Sequence, residues 1–139
     1  MIISSVPIFP SKPEPGAVYA AAEILIRTSP QFPHPYIYVS NRNTGTTTPE
    51  GDSIAIFEHV HQGKKNEGLV LIKQVFTGLN QIRGMEIGNP ANGGDQYLIA
   101  GAASGKGGVA IFRRTECGRN LELVVRNLDV PTRTAFVWV

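Results

Sequence analysis

Sulfur and imidazole are scarce in this chain of 139 residues, and charge is sparse. The single Cys117 excludes an internal disulfide and fits a reducing compartment. It lies in a polar stretch, Thr115-Glu116-Cys117-Gly118, and reads as an ordinary thiol rather than a nucleophile. Histidine occurs only at His34, His59 and His61. His59 and His61, two apart at a strand end, could ligate zinc only with a third ligand, and none stands at a supporting spacing. No metal or other cofactor is therefore expected. The net charge of +2 is too small to argue for a nucleic-acid or membrane partner, and no Lys or Arg run forms a stripe. No segment approaches the roughly 18 apolar residues of a membrane helix. The first residues lack a basic leader, and no Asn-x-Ser/Thr sequon occurs. The expectation is a soluble, cytoplasmic protein.

Punctuation is what the chain has in quantity: 15 Gly and 10 Pro, against 42% hydrophobic residues. That suits many short strands joined by turns. The strands fall into a module that occurs twice. Its first copy reads Ala21-Ala22-Glu23-Ile24-Leu25, Tyr36-Ile37-Tyr38-Val39, Ile54-Ala55-Ile56-Phe57 and Leu69-Val70-Leu71-Ile72. The second reads Arg83-Gly84-Met85-Glu86-Ile87, Tyr97-Leu98-Ile99-Ala100, Val109-Ala110-Ile111-Phe112 and Leu121-Glu122-Leu123-Val124. Tyr36 to Tyr97 is 61 positions, Ile54 to Val109 is 55, and Leu69 to Leu121 is 52. The drift is loop length. A third copy starts at Thr134-Ala135-Phe136-Val137-Trp138-Val139.

Four short strands per repeat of this length mark β-propeller blades. Strands such as Ile54 to Phe57 are apolar at nearly every position, as expected when blades cover both faces; a two-sheet sandwich is the competing architecture. The predicted fold is all-β: a partial β-propeller of two four-stranded antiparallel blades with flanking strands. Residues 1–17 form the end of a preceding blade and a Pro-rich loop, 18–78 the first blade, 79–130 the second, and 131–139 a closing strand. Ala20 to Ala22 favour helix. A strand is expected over Ile24 to Ile26 nonetheless, because Arg83 to Ile87 fills the same slot with Gly84 inside it.

The strings Tyr36-Ile37-Tyr38-Val39-Ser40-Asn41-Arg42, Asp52-Ser53-Ile54-Ala55-Ile56-Phe57, Ile82-Arg83-Gly84-Met85 and Tyr97-Leu98-Ile99-Ala100-Gly101, with Ala21 to Ile24, resemble the lactonase-type seven-bladed propellers. That family includes 6-phosphogluconolactonase and the fungal carboxy-cis,cis-muconate cyclase. The resemblance covers nearly the whole chain and about the last third of a full-length member. It implies a C-terminal fragment of a propeller acting on a small carboxylate or lactone, by muconate lactonisation or sugar-lactone hydrolysis. It also implies that this piece alone is inactive, since the family's proposed catalytic histidine belongs to earlier blades.

Three residues are catalytic candidates. Arg42 ends a strand, and its planar fork suits a carboxylate; the matching second-module residue is Ala103. A surface pair with Glu50 or Asp52 is the alternative. Arg83 sits in the innermost strand, facing either substrate or a neighbouring blade. Glu23, also innermost, is a candidate base. Asn41 is a substrate-binding candidate beside Arg42, or a turn cap. The segment Gly101 to Gly108 lacks the spacing and the following helix of a phosphate loop and reads as a hairpin connection. A non-catalytic binding or scaffold module, presenting the Asn43 to Asp52 connection, is the alternative function. Two blades without neighbours leave apolar faces exposed, which predicts truncation, self-association or poor solubility.

Overall fold

A computed structural model of the chain describes residues 2 and 4–139. The strands form two separate four-stranded sheets. The first has strand order β1 (Tyr19–Ile26), β2 (Tyr36–Asn43), β3 (Ser53–Val60), β4 (Gly68–Phe76). The second has β5 (Asn80–Ile87), β6 (Tyr97–Ser104), β7 (Val109–Thr115), β8 (Asn120–Asn127). All pairings are antiparallel between chain neighbours. Short 3-10 turns at Ala91–Gln96 and Glu116–Gly118 complete the second sheet's connections. Ala20 to Ala22 lie in β1, so tertiary pairing with β2 overrides their helix propensity.

The repeat extends to the irregularities. Each inner pair is interrupted by a bulge, between Ala21 and Ile24 in β1 and between Ile82 and Gly84 in β5. Each outer pair is interrupted at the same step, between Ile56 and Phe57 and between Ile111 and Phe112. Matching bulges add twist at matching places.

The sheets stack face to face. Tyr38, Ile54 and Ile56 of the first meet Ile87, Leu98 and Phe112 of the second, each almost wholly buried. Burying one such side chain stabilises by about 1.5–3 kcal/mol. The innermost strands β1 and β5 touch closely, whereas the outermost, β4 and β8, barely meet. The stack therefore fans outward as an arc of a propeller does.

Polar groups tie the sheets together. Arg114 of β7 is buried and reaches across: its Nε donates to the Tyr38 hydroxyl at 3.1 Å, Nη1 to the Asp95 carbonyl at 3.0 Å and Nη2 to the Arg27 carbonyl at 3.4 Å. Its guanidinium also lies over the Phe32 ring, 4.0 Å from the centroid. The Tyr38 hydroxyl in turn donates to the Gly118 carbonyl at 2.7 Å. Burial raises the Tyr38 phenol above its ordinary range, with Arg114 opposing. At the sheet junction, one oxygen of buried Asp52 accepts the backbone N–H groups of Asn43 at 3.0 Å and Gln81 at 2.6 Å.

The flanking segments run over the sheets without joining a ladder. The expected end of a preceding blade, within 1–17, forms no strand: residues 4–9 are a strap, while Met1 and Ile3 lie outside the described residues. Val6 and Ile8 pack on Val39, Ala55 and Phe57, on the outer face of the first sheet. The Ile8 carbonyl accepts from Asn41 Nδ2 at 3.2 Å and Gln74 Nε2 at 2.7 Å. The expected closing strand, Thr134 to Val139, likewise pairs with no sheet edge. The stretch leading into it is held by the Gly108 N–H to the Val130 carbonyl and the Arg133 N–H to the Ala102 carbonyl, both 2.9 Å. A strand needs a free edge beside it, and this segment crosses a face instead.

Gly84 and Gly101 allow that crossing. A Cβ on Gly84 would sit 2.2 Å from the Thr134 carbonyl oxygen, and one on Gly101 would sit 2.5 Å from the Phe136 ring. Gly84→Ala should therefore lift the terminal segment, and tryptic cleavage after Arg133 should run several-fold faster than in the parent. An unchanged cleavage rate would contradict the close approach.

Candidate functional site

Glu23, Arg42 and Arg83 line one cleft of about 410 Å3, together with Ala21, Ala22 and Thr134. It opens where the two innermost strands come together. Each residue arrives by a local device. Glu23 and Arg83 lie at the bulges of β1 and β5. A bulge re-aims side chains that a regular ladder would turn to a face. The Glu23 backbone N–H, displaced by the bulge, donates to Ser40 Oγ at 2.9 Å. Arg42 lies on β2 opposite Ala20.

The two cations are available. Among the described residues, no carboxylate lies within ion-pair distance of Arg42 or Arg83. The surface pair with Glu50 or Asp52 does not form; Asp52 is occupied by backbone donors instead. Arg42 is half-buried, and its Nε is shielded from solvent without a hydrogen-bond partner. A desolvated guanidinium donor left unpaired is costly, and this one is closed to solvent and so to a ligand. Arg83 is exposed. Glu23 is half-buried in the same cleft and supplies the one carboxylate there.

Asn41 does not join the cleft. It is fully buried, with Nδ2 on the strap carbonyl of Ile8 and Oδ1 unpartnered. Its role is to hold the strap, a third possibility beside substrate binding and turn capping. The register gives no hint of the cleft by repetition. Ala103 of the second sheet corresponds to Arg42, Gly84 to Glu23, and Ala22 of the first sheet corresponds to Arg83. The charged groups belong to one copy of each position.

The other candidates go elsewhere. His59 Nε2 contacts Glu67 Oε1 at 2.6 Å, and His34 Nε2 contacts Glu58 Oε1 at 3.0 Å. His61 lies beyond the end of β3, with a left-handed φ of 56°, so it shares no strand face with His59. Among the described residues no group of three His, Cys, Asp or Glu side chains is placed to hold a metal. Cys117 is exposed in the turn Glu116–Gly118. Residues 105–108 form the turn between β6 and β7.

The connection from Asn43 to Asp52 is internally organised. Asn43 Nδ2 donates to the Thr46 carbonyl at 2.6 Å, and its Oδ1 accepts from the Gly45 N–H at 2.9 Å. The Thr46 N–H reaches the Gly16 carbonyl, and the Asp52 N–H the Leu79 carbonyl. Sequence reasoning missed Arg114 and Asp95. Arg114 follows Phe112 in strand alternation, so it points to the same buried face; that periodicity was the available signal.

Among the described residues no helix is long and apolar enough to cross a membrane. Comparison of the chain with protein-family models, with curated proteins and with solved structures finds no match.

Proposed function

We propose that the cleft binds a small carboxylate-bearing substrate, and that the chain contributes two blades to a lactonase-type propeller. The observation that carries this reading is the convergence of Arg42, Arg83 and Glu23 on one polar cleft, with neither arginine in an ion pair among the described residues. Arg42 takes the substrate carboxylate through its guanidinium fork, and Arg83 faces it from the second blade. In lactonisation a carboxylate oxygen adds to a conjugated C=C carbon, and the α-carbon receives a proton. In lactone hydrolysis water adds to the ring carbonyl, the ring C–O bond then breaks, and the leaving oxygen takes up the proton that water gave to Glu23. Both routes develop negative charge on oxygen, which two guanidinium groups stabilise. Glu23 moves the proton, as acid in the first route and as base toward water in the second. The resemblance to the lactonase-type propellers supports the choice of substrate class.

The test is calorimetric titration of the chain with a muconate-type dicarboxylate and with a sugar lactone. Arg42→Ala should raise the dicarboxylate Kd by about 10–100-fold, the loss of one charge-assisted pair. Arg42→Lys should recover little, because an ammonium cannot reproduce the fork. Dicarboxylate binding that is unchanged in Arg42→Ala would remove the assignment.

A further inference from the structure

We infer that the two outer faces of this chain bind each other between copies, head to tail, through the same contact that joins the two sheets within one chain. Register alone carries this, independently of the chemistry of the cleft. Inside the molecule the first sheet presents Tyr38 and Ile56 to the second, which answers with Leu98 and Phe112. Carrying these positions through the repeat gives Ile99 and Ile111 on the second sheet, and Ile37 and Phe57 on the first.

Those four side chains lie on the outer faces. Ile99 and Ile111 are paired across β6 and β7, with Val125 beyond them on β8. Ile37 and Phe57 are paired across β2 and β3, with Ile26 on β1 and Leu71 on β4 to either side. The outer face of the second sheet is thus the counterpart of a face the first sheet already buries. The outer face of the first is the counterpart of a face the second already buries. Each carries the apolar positions its counterpart needs, and each is open at its margins: Ile24 is 61%, Ile26 58% and Val125 51% exposed. An interface built from two different faces is heterologous. It propagates from copy to copy until a ring closes.

The terminal segments rest on these faces as single layers. Val6 and Ile8 cover the middle of the first, and Phe136 covers Gly101 on the second. A docking sheet displaces them, exchanging a thin cover for a whole blade.

The experiment is sedimentation velocity of the full chain across the micromolar range, with Ile24→Lys on one outer face and Ile111→Lys on the other; their counterparts in the internal contact, Met85 and Ile56, are both buried. In the single chain Ile24 is exposed and Ile111 half-buried, and far-UV circular dichroism should match the parent. Wild type should associate with rising concentration. Each variant alone should be monomeric, with association weakened at least about tenfold, because a lysine is desolvated in the contact. An equimolar mixture retains one intact contact and should stop at the mass of two chains. Wild type that stays monomeric, a single variant that still pairs, or a mixture that forms no dimer would each overturn the inference. A mixture growing past two chains would do the same.

Discussion

Arg114→Met should lower the unfolding free energy by about 3 kcal/mol, the largest effect expected of one conservative-volume change in this chain. Three hydrogen bonds from a charged donor are lost, each contributing roughly 1.5–3 kcal/mol. The Asp95 and Arg27 carbonyls lose a partner in the seam. Removing a desolvated cation offsets part of this, and the methionine fills the space of the arginine stem. Thermal melting should fall by about 10 °C for a chain of this size. Tyr38→Phe, which removes the hydroxyl but keeps the ring, should cost less. A methionine variant as stable as the parent would mean that the buried guanidinium contributes nothing net.

The second large effect is at Asp52. Asp52→Ala strands two backbone donors, the buried one of Asn43 and the half-buried one of Gln81, and should cost about 3 kcal/mol. Asp52→Asn keeps an oxygen for both donors and should recover most of that. The pair also predicts a pH dependence. Burial raises the Asp52 carboxyl above the ordinary carboxylate value of 3.8, with the Asn43 and Gln81 N–H groups opposing. The folded state therefore holds this proton at a pH where the unfolded chain has released it. Its contribution is most favourable below the unfolded pKa, and declines as pH rises to the raised folded value. Above that it is constant. Urea melts should show the stability of the parent, relative to Asp52→Asn, falling across that acidic window and then levelling. A difference that grows with pH there would reverse the sign and refute it.

The sheets were legible because their signals are local. Gly51-Asp52, Thr77-Gly78 and Gly118-Arg119-Asn120 punctuate the strands, and the repeated apolar order set which strand is which. The bulges also recur, but nothing in Ala21 to Ile24 announces an extra residue, since a bulge is a property of the pair and not of one strand. The convergence of Glu23, Arg42 and Arg83 was partly legible. Residue type marks all three, the strand end marks Arg42, and the innermost strand marks Glu23 and Arg83. Their sharing one cleft depends on how β5 meets β1 and β2, across sheets that no spacing links. The flanks were misread for a related reason. Ile2 to Phe9 and Thr134 to Val139 have strand composition, but composition does not supply an edge to pair with. Adjacency to Arg42 makes Asn41 a poor candidate for the cleft, since adjacent strand residues face opposite ways.

The two blades are alike in backbone and unlike in charge, because Ala22, Gly84 and Ala103 stand where their counterparts are Arg83, Glu23 and Arg42. Stoichiometry follows. Ligand should be counted per chain and never per blade, so an assembly of any number of copies saturates at one equivalent each.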